Sequence, residues 1–322
     1  MKKIAAIILA AAMTGMLFTG CSSSSSSADF PKGSVEIVVP FTAGGGMDLL
    51  ARQVQPYLAE KGIETVITNI AGGSSSIGTM EVYNSEKDGY KILCSGIETI
   101  IAFHQGGVLE TGIEEWSSLG TLVFDSHMIV VPKDSPYQTL ADLIEDAKAH
   151  PGELNWAGTS SKGNGEMSAH EIWEAAGVDF NYVPYDGAAD TRVAVMGGQA
   201  DCGMIFVSEA KALLESGDLR ALGVFSSERI SLFPDVPTIR ECGYELDNGI
   251  HRGFFCAKDV PEDIQKILSD AFQYAAEQEA LETSLAEQCG FVAEYVSPEE
   301  AEILIPGLEE KYQKLYDIMM GN

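Results

Sequence analysis

The order of apolar and polar positions after Ser34 predicts a chain that alternates strands with helices. Short apolar runs rich in β-branched residues indicate strands, and longer stretches with apolar residues at helical spacing indicate helices. The predicted strands are Val35–Val39, Thr65–Thr68, Tyr90–Cys94, Leu122–Val131, Glu153–Trp156, Phe180–Val183, Cys202–Val207, Leu219–Phe225 and Gly253–Cys256. The predicted helices are Asp48–Glu60, Thr139–Ala149, Met167–Ala176, Thr191–Met196 and Glu209–Ser216. This alternation is typical of the α/β class.

The C-terminal part of the chain has a different pattern. From Pro261 to Met320 it predicts two helices, with Pro261 in the first turn of one of them. Ser297-Pro298-Glu299-Glu300 has the residue types of a helix start, because a serine cap precedes a proline and an acidic first turn.

Two stretches are predicted to connect separate domains. The extended run ending at 131–136 and the segment 226–237 both carry prolines between apolar runs. We therefore predict a discontinuous first domain, 32–131 with 229–322, and a second domain, 132–228. A cleft between two α/β domains joined by two crossings is a common place for a small ligand.

The N-terminus has the features of a secretory signal. Lys2 and Lys3 precede an apolar segment that is too short for a spanning helix, and Thr19-Gly20-Cys21 resembles a lipoprotein cleavage site. We predict a lipoprotein signal peptide at 1–20, a lipidated Cys21 and a serine-rich tether at 21–31. The protein would then be extracytoplasmic and lipid-anchored to the membrane, at the cell surface or in the periplasm; the alternative is a secreted protein from which Cys21 is trimmed.

Composition excludes several functions. The 322 residues include 48 acidic and 20 basic side chains, for a formal charge of -28. Nucleic acid is excluded as a partner because few basic groups remain to neutralise phosphates. The remaining cysteines form no C-x-x-C pair, so we expect no metal site and no disulfide framework, although one chance disulfide stays open. They are Cys94, Cys202, Cys242, Cys256 and Cys289.

Four strand-to-helix loops carry small residues that can donate hydrogen bonds. Main-chain N–H groups at helix N-termini bind anions, and glycine lets a ligand come close to them. One such loop is commonly only a turn, but four at the ends of an α/β sheet predict a carboxylate site. The candidate ligand-binding residues are Phe41, Ala43, Gly44, Gly45, Gly46, Asp48, Ser75, Ser76, Thr159, Ser160, Ser161, Asn164, Tyr185, Gly187, Ala188 and Asp190.

The sequence gives little support for an enzymatic function. The five histidines are neither paired nor at ligand spacing, and no serine lies in a nucleophile motif. We therefore predict no enzyme, no cofactor and no catalytic residue. His170 is expected to be a packing residue, and His104 and His127 to lie in surface loops. Asp186 or Asp190 could accept an ammonium group, which would favour an amino acid over a plain dicarboxylate.

Five short motifs follow one another along the chain. They are Pro40-Phe41-Thr42-Ala43-Gly44-Gly45-Gly46-Met47-Asp48, Asp88-Gly89-Tyr90, Val183-Pro184-Tyr185 with Gly187, Gly197-Gly198-Gln199 with Asp201, and Leu232-Phe233-Pro234-Asp235-Val236-Pro237-Thr238 with Gly243. Together they closely resemble the Bug or TctC family, the extracytoplasmic solute receptors of tripartite tricarboxylate transporters. At Phe103-His104-Gln105 the chain departs from the family's pattern.

The resemblance implies the type II periplasmic binding protein fold, in which two α/β domains close over an organic acid. It also implies that the four loops hold the carboxylate and that membrane permease subunits are the partners. The function predicted from the sequence is capture of a small organic carboxylate, a di- or tricarboxylate or an amino acid, and its delivery to such a permease. The alternative is an orphan solute receptor that acts as the ligand-dependent partner of a membrane sensor.

Overall fold

The computed structural model describes residues 30–185 and 187–321, so the predicted signal peptide, tether and Cys21 lie outside the described residues. The described chain forms ten strands. They are β1 (Val35–Val39), β2 (Thr65–Asn69), β3 (Lys91–Gly96), β4 (Trp116–Pro132), β5 (Asn155–Thr159), β6 (Asn181–Tyr185), β7 (Cys202–Phe206), β8 (Leu219–Val224), β9 (Gly249–Ala257) and β10 (Val292–Val296).

Helices lie between and after these strands. They are α1 (Gly46–Glu60), α2 (Ser76–Tyr83), α3 (Ile97–Gln105), α4 (Leu140–Ala149), α5 (Asn164–Ala176), α6 (Ala188–Met196), α7 (Val207–Glu215), α8 (Glu262–Ala276), α9 (Glu279–Ser284) and α10 (Pro298–Met320). Every helix in this part of the chain is too short or too polar to cross a lipid bilayer.

The strands form two groups that share one long strand. In the first group β1 pairs in parallel with β2 and β3, and β9 joins β3 to β4 antiparallel. In the second group β5 pairs in parallel with β6 and β7, while β7 and β8 pair antiparallel with β4. We call these groups, with the helices packed on them, the first and second lobes.

The 17-residue strand β4 belongs to both lobes. Its residues from Trp116 to Ser126 pair with β9, those from His127 to Val130 pair with β7, and those from Met128 to Pro132 pair with β8. At this change of partner the main chain of His127 is bonded to Asn248 and to Phe225. The α/β class and the two-lobe fold are confirmed; the exact domain boundaries at 131/132 and 228/229 stay a prediction.

Each lobe has its own buried core. In the first lobe, Val38 and Leu93 from the sheet pack with Ile100 of α3 and Tyr312 of α10. In the second lobe, Trp156 on β5 packs against Trp173 of α5, with ring centroids 5.6 Å apart, and against Phe180 at 5.1 Å. Buried parallel strands between helices explain why the apolar runs of the sequence are nearly continuous.

The prediction of two helices for the tail was wrong, because β10 and the short helix α9 lie between α8 and α10. β10 pairs antiparallel with β4, and its first residues are exposed on the edge of the sheet. Helix α3 was not predicted at all. Its residues from Ile97 to Phe103 are all buried, so the segment lacks the polar face that identifies an amphipathic helix.

The five described cysteines are all unpaired. Cys94, Cys202, Cys256 and Cys289 are buried, and Cys242 is half-buried. Burial raises the pKa of the Cys289 thiol to about 11 and that of Cys256 to about 12, so both are neutral, apolar core groups at physiological pH.

The start of α10 has the predicted cap. Ser297 Oγ accepts from the Glu300 N–H at 3.2 Å, and the Glu300 carboxylate accepts from the Ser297 N–H at 2.9 Å. We expect Ser297→Ala to lower the free energy of unfolding by about 1 kcal/mol, the usual worth of such a cap. Urea denaturation measures this, with the exposed Ser227→Ala as control. An unchanged urea midpoint for Ser297→Ala would contradict it.

Candidate functional site

A cavity lies between the two lobes, with walls from both. From the first lobe it is lined by the loop before α1, by α3 and by β9, and from the second by the loops before α5 and α6, by β7 and by the start of α7. Its volume is about 60 Å³. A cavity that holds one water needs about 10–15 Å³, so this one suits a small solute.

Five helices begin at this cavity. Gly46 and Met47 of α1, Asn164 and Gly165 of α5, and Ala188 of α6 are first-turn residues in its wall. Thr99 of α3 and Glu209 of α7 contribute from the third position of their helices. The first N–H groups of a helix have no partner within it and carry a partial positive charge. The cavity wall therefore presents several groups that favour an anion.

The structure brings half of the predicted ligand-binding residues together. Those in the cavity wall are Phe41, Gly45, Gly46, Thr159, Ser160, Asn164, Gly187 and Ala188. Ser160 has a left-handed backbone, with φ of 66°. Its N–H donates to the Tyr185 carbonyl at 2.8 Å and its carbonyl accepts from Tyr182 Oη at 3.0 Å. Strained residues held in this way cluster at binding sites.

The other predicted residues lie outside the cavity wall. Ala43 and Gly44 are exposed, and the Gly44 N–H already donates to Asp48 Oδ2 at 2.9 Å. Asp48 is also paired with Arg52 at 2.9 Å, so its carboxylate supports the start of α1. The rest are Ser75, Ser76, Ser161, Tyr185 and Asp190. Ser75 and Ser76 lie at the start of α2, and Tyr185 packs on a core cluster. Ser161 is exposed, and Asp190 is exposed on α6. Asp186 lies outside the described residues.

The charged groups of the wall were not predicted from the sequence. Arg252 on β9 is 3% exposed, and its Nε donates to Asp125 Oδ2 at 2.8 Å. Asp125 also accepts from Ser208 Oγ at 2.6 Å. Burial raises the pKa of Asp125, whereas Arg252 and Ser208 oppose that rise. A Cβ on Gly46 would lie 2.8 Å from the Arg252 guanidinium, so the absent side chain there makes room for the ion pair.

His127 also lies in the wall, and the prediction of a surface loop was wrong for it. It is 2% exposed on β4 and its ring stacks on Phe206, with centroids 4.2 Å apart. The Arg252 guanidinium lies over the same Phe206 ring, 4.4 Å from its centroid. His104 is exposed at the end of α3, and His170 packs on the Trp173 ring as expected.

Burial lowers the pKa of His127 to about 3, so the folded ring stays neutral. The unfolded ring takes a proton near pH 6.5. The stability that the neutral ring provides is therefore present above pH 6.5 and is lost as pH falls from 6.5 towards 3. Between pH 6.5 and 5 the loss is about 2 kcal/mol, at 1.36 kcal/mol per pH unit.

We expect His127→Gln to lose less stability than the wild type between pH 7 and 5. Urea denaturation at the two pH values measures the difference, and the exposed His104→Gln is the control. His251, which is paired with Glu98, is present in all three proteins, so its contribution to the pH dependence of stability cancels in the comparison. Equal pH dependence of wild type and His127→Gln would contradict the expectation.

Three polar atoms of the cavity wall are buried without a hydrogen-bond partner. They are Nδ1 of His127, Nδ2 of Asn164 and Oε2 of Glu209. Nη2 of Arg252 lies 2.7 Å from Asp125 Oδ2 and is satisfied by that ion pair. Burial raises the pKa of Glu209, Arg252 opposes the rise, and the like charge of Asp125 adds to it. Unpartnered buried polar atoms are costly, so a ligand that pairs with them would be bound specifically.

The sequence of this chain matches that of one protein family and of individual relatives. The model of a family described as "Tripartite tricarboxylate transporter family receptor" matches residues 50–313. The chain is similar to a UPF0065 protein of Agrobacterium vitis, at 27% identity over 76% of this chain and 72% of the relative. It is also similar to protein BugT of Bordetella pertussis, at 29% identity over 67% of each chain.

Solved structures are similar in fold. MatC from Rhodopseudomonas palustris with bound malate has a TM-score of 0.82 at 24% identity, covering 89% of this chain and 100% of MatC. A second R. palustris protein, solved with adipate, has a TM-score of 0.83 at 24% identity, covering 90% of this chain and 98% of its own. At such identities the likeness establishes the fold of two lobes around a cleft.

Proposed function

Because the chain belongs to the tripartite tricarboxylate transporter receptor family, we propose that it captures a small organic carboxylate between its lobes and delivers it to the permease of such a transporter. The protein is an extracytoplasmic solute-binding protein and not an enzyme. The observation that carries the proposal is the convergence of five helix starts on one cavity between the lobes. Relatives of the same fold that hold malate and adipate support it.

The binding step follows from the geometry of the wall. A carboxylate at the start of α1 or α5 would accept hydrogen bonds from main-chain N–H groups and from Asn164 Nδ2. Such charge-assisted bonds contribute about 1.5–3 kcal/mol each, and three or four of them offset an association cost of about 4–15 kcal/mol. The apolar rings of Phe41 and Phe103 keep water away from these bonds. We also propose that a lipid on Cys21 keeps the receptor at the membrane.

A panel of acids tests the proposal. We expect malate, succinate, adipate, citrate or one of the proteinogenic amino acids to raise the melting temperature of the purified protein. Deleting the gene should abolish uptake of the same radiolabelled acid by cells. No thermal shift with any acid would contradict binding, and normal uptake without the gene would favour the sensor role over transport.

A further inference from the structure

We propose that the ligand is a small zwitterion, an amino acid rather than a di- or tricarboxylate, and that Glu209 selects it by pairing with the ammonium group. The inference rests on the proposed function, since it concerns the same cavity. It goes further because it names the class of acid and the side chain that chooses it.

The position of Glu209 is the first support. It is the third residue of α7, in the cavity wall, and its Oε2 is inaccessible to solvent and has no hydrogen-bond partner. Its Oε1 would be 3.9 Å from a Cβ on Gly45, so the carboxylate lies beside the start of α1. The start of α1 is a predicted position for the ligand's carboxylate, and the Glu209 carboxylate beside it can accept a hydrogen bond. The pair of sites therefore fits a ligand that carries a hydrogen-bond donor a few ångströms from its own carboxylate. An amino acid has that arrangement.

The balance of charge in the wall is the second support. Glu209 and Arg252 are the charged side chains of the wall. Arg252 is paired with Asp125 at 2.7 Å, whereas Glu209 forms no ion pair among the described residues, and the cations that favour its charged form are the more distant Arg252 and Arg192. A dicarboxylate would bring two more negative charges into a buried space, whereas the ammonium of a zwitterion would neutralise Glu209. Buried charges are tolerated when they are paired.

The apolar lining is the third support. Phe41, Phe103, Met204, Ile205 and Ile250 form much of the wall. These side chains form no hydrogen bond with a second or third ionised carboxylate of a ligand. Because they are apolar, they also raise the free-energy cost of burying such a carboxylate without a partner. Aromatic rings and a carboxylate together are suited to an ammonium group.

Asp190, the amine acceptor considered from the sequence, is exposed and lies outside the cavity wall. Glu209 takes over that role. If Glu209 instead kept its proton and donated to a second ligand carboxylate, glutamine would replace it without loss. The substitution Glu209→Gln therefore separates the two roles.

The test is calorimetry on the purified protein. The proteinogenic amino acids are compared with malate, succinate, adipate and citrate, and the best amino acid is then compared with the same acid lacking its amino group. We expect the wild type to bind the amino acid at least about 100-fold more tightly than the deaminated analogue, because the analogue leaves Glu209 unpaired.

We expect Glu209→Gln to weaken amino acid binding by at least about 30-fold, the effect of losing a hydrogen bond between charged groups. Glu215→Gln, the same change at the exposed end of α7, should bind like the wild type. Dicarboxylates that bind better than every amino acid, or an analogue that binds as well as its amino acid, would overturn the inference and leave the proposed function standing. Absence of binding by both classes would refute both. The analogue comparison uses the wild type, so it holds even if Glu209→Gln fails to fold.

Discussion

Replacing Arg252 with methionine is expected to lower the free energy of unfolding by about 3–5 kcal/mol, the usual cost of breaking one side of a buried ion pair. Asp125 is 1% exposed and would keep only the two hydrogen bonds from Ser208. Its charge would then be buried without a cation. Urea denaturation at pH 7 measures the loss.

A second substitution separates the lost charge from lost packing. The double variant Asp125→Asn with Arg252→Met removes both charges, so we expect it to be more stable than Arg252→Met alone. If Arg252→Met lost less than about 1 kcal/mol, the value of an exposed ion pair, the account of a buried pair in the cavity wall would be wrong.

Gly106→Ala is expected to weaken ligand binding by about 10- to 100-fold with little loss of stability. Gly106 directly follows α3 and has φ of −70°, which alanine adopts readily. A Cβ there would overlap the Lys162 carbonyl in the facing loop of the second lobe. We expect the variant to fold with the two lobes farther apart, so that bringing them together on the ligand costs about 1–3 kcal/mol, as in other overpacked contacts.

Two measurements follow closure in this variant. Calorimetry gives the affinity for the acid that produces the largest thermal shift, and small-angle X-ray scattering gives the radius of gyration with and without it. The wild type should contract on binding, and Gly106→Ala should contract less. Gly307→Ala is the control, since a Cβ there meets open space. Wild-type affinity and full contraction in Gly106→Ala would show that the lobes do not close at this contact.

Strands were the most predictable elements of the fold. β1, β7 and β8 are mostly apolar and mostly buried, so their positions follow from local pattern. The same burial hid α3, because its residues from Ile97 to Phe103 are buried on every side and the segment has no solvent-facing polar stripe to detect. β10 was hidden for the opposite reason, since its first three residues are exposed and offer no buried face.

The candidate site was predictable where it depends on main-chain groups. Glycines before α1 and α6 and Asn164 at the start of α5 lie in the cavity wall because strand-to-helix loops meet at one edge of a sheet. Arg252 could not be placed, because its contact with Asp125 depends on the register of β9 against β4, across 127 positions of sequence. The available signal was a charged residue within the apolar run Gly249–Ala257.

The hydroxyls of Ser75 and Ser76 show a limit of reasoning by analogy between loops. Their loop carries small residues like the other three, but Ser75 is buried with φ of 73°, and Ser76 Oγ donates to the Gly73 carbonyl at 2.7 Å. The Ser76 hydroxyl therefore satisfies the turn itself. Composition identified the four loops, and only the hydrogen bonds distinguish the loops that line the cavity from the one that does not.

The most direct test of the account is a crystal structure of the protein with its best-binding acid. The account predicts that the carboxylate oxygens lie about 3 Å from main-chain N–H groups in the first turn of α1 or α5. A structure in which the acid is held by Arg252 alone, or lies outside the cavity with Gly46 and Asn164 remote from it, would contradict the account.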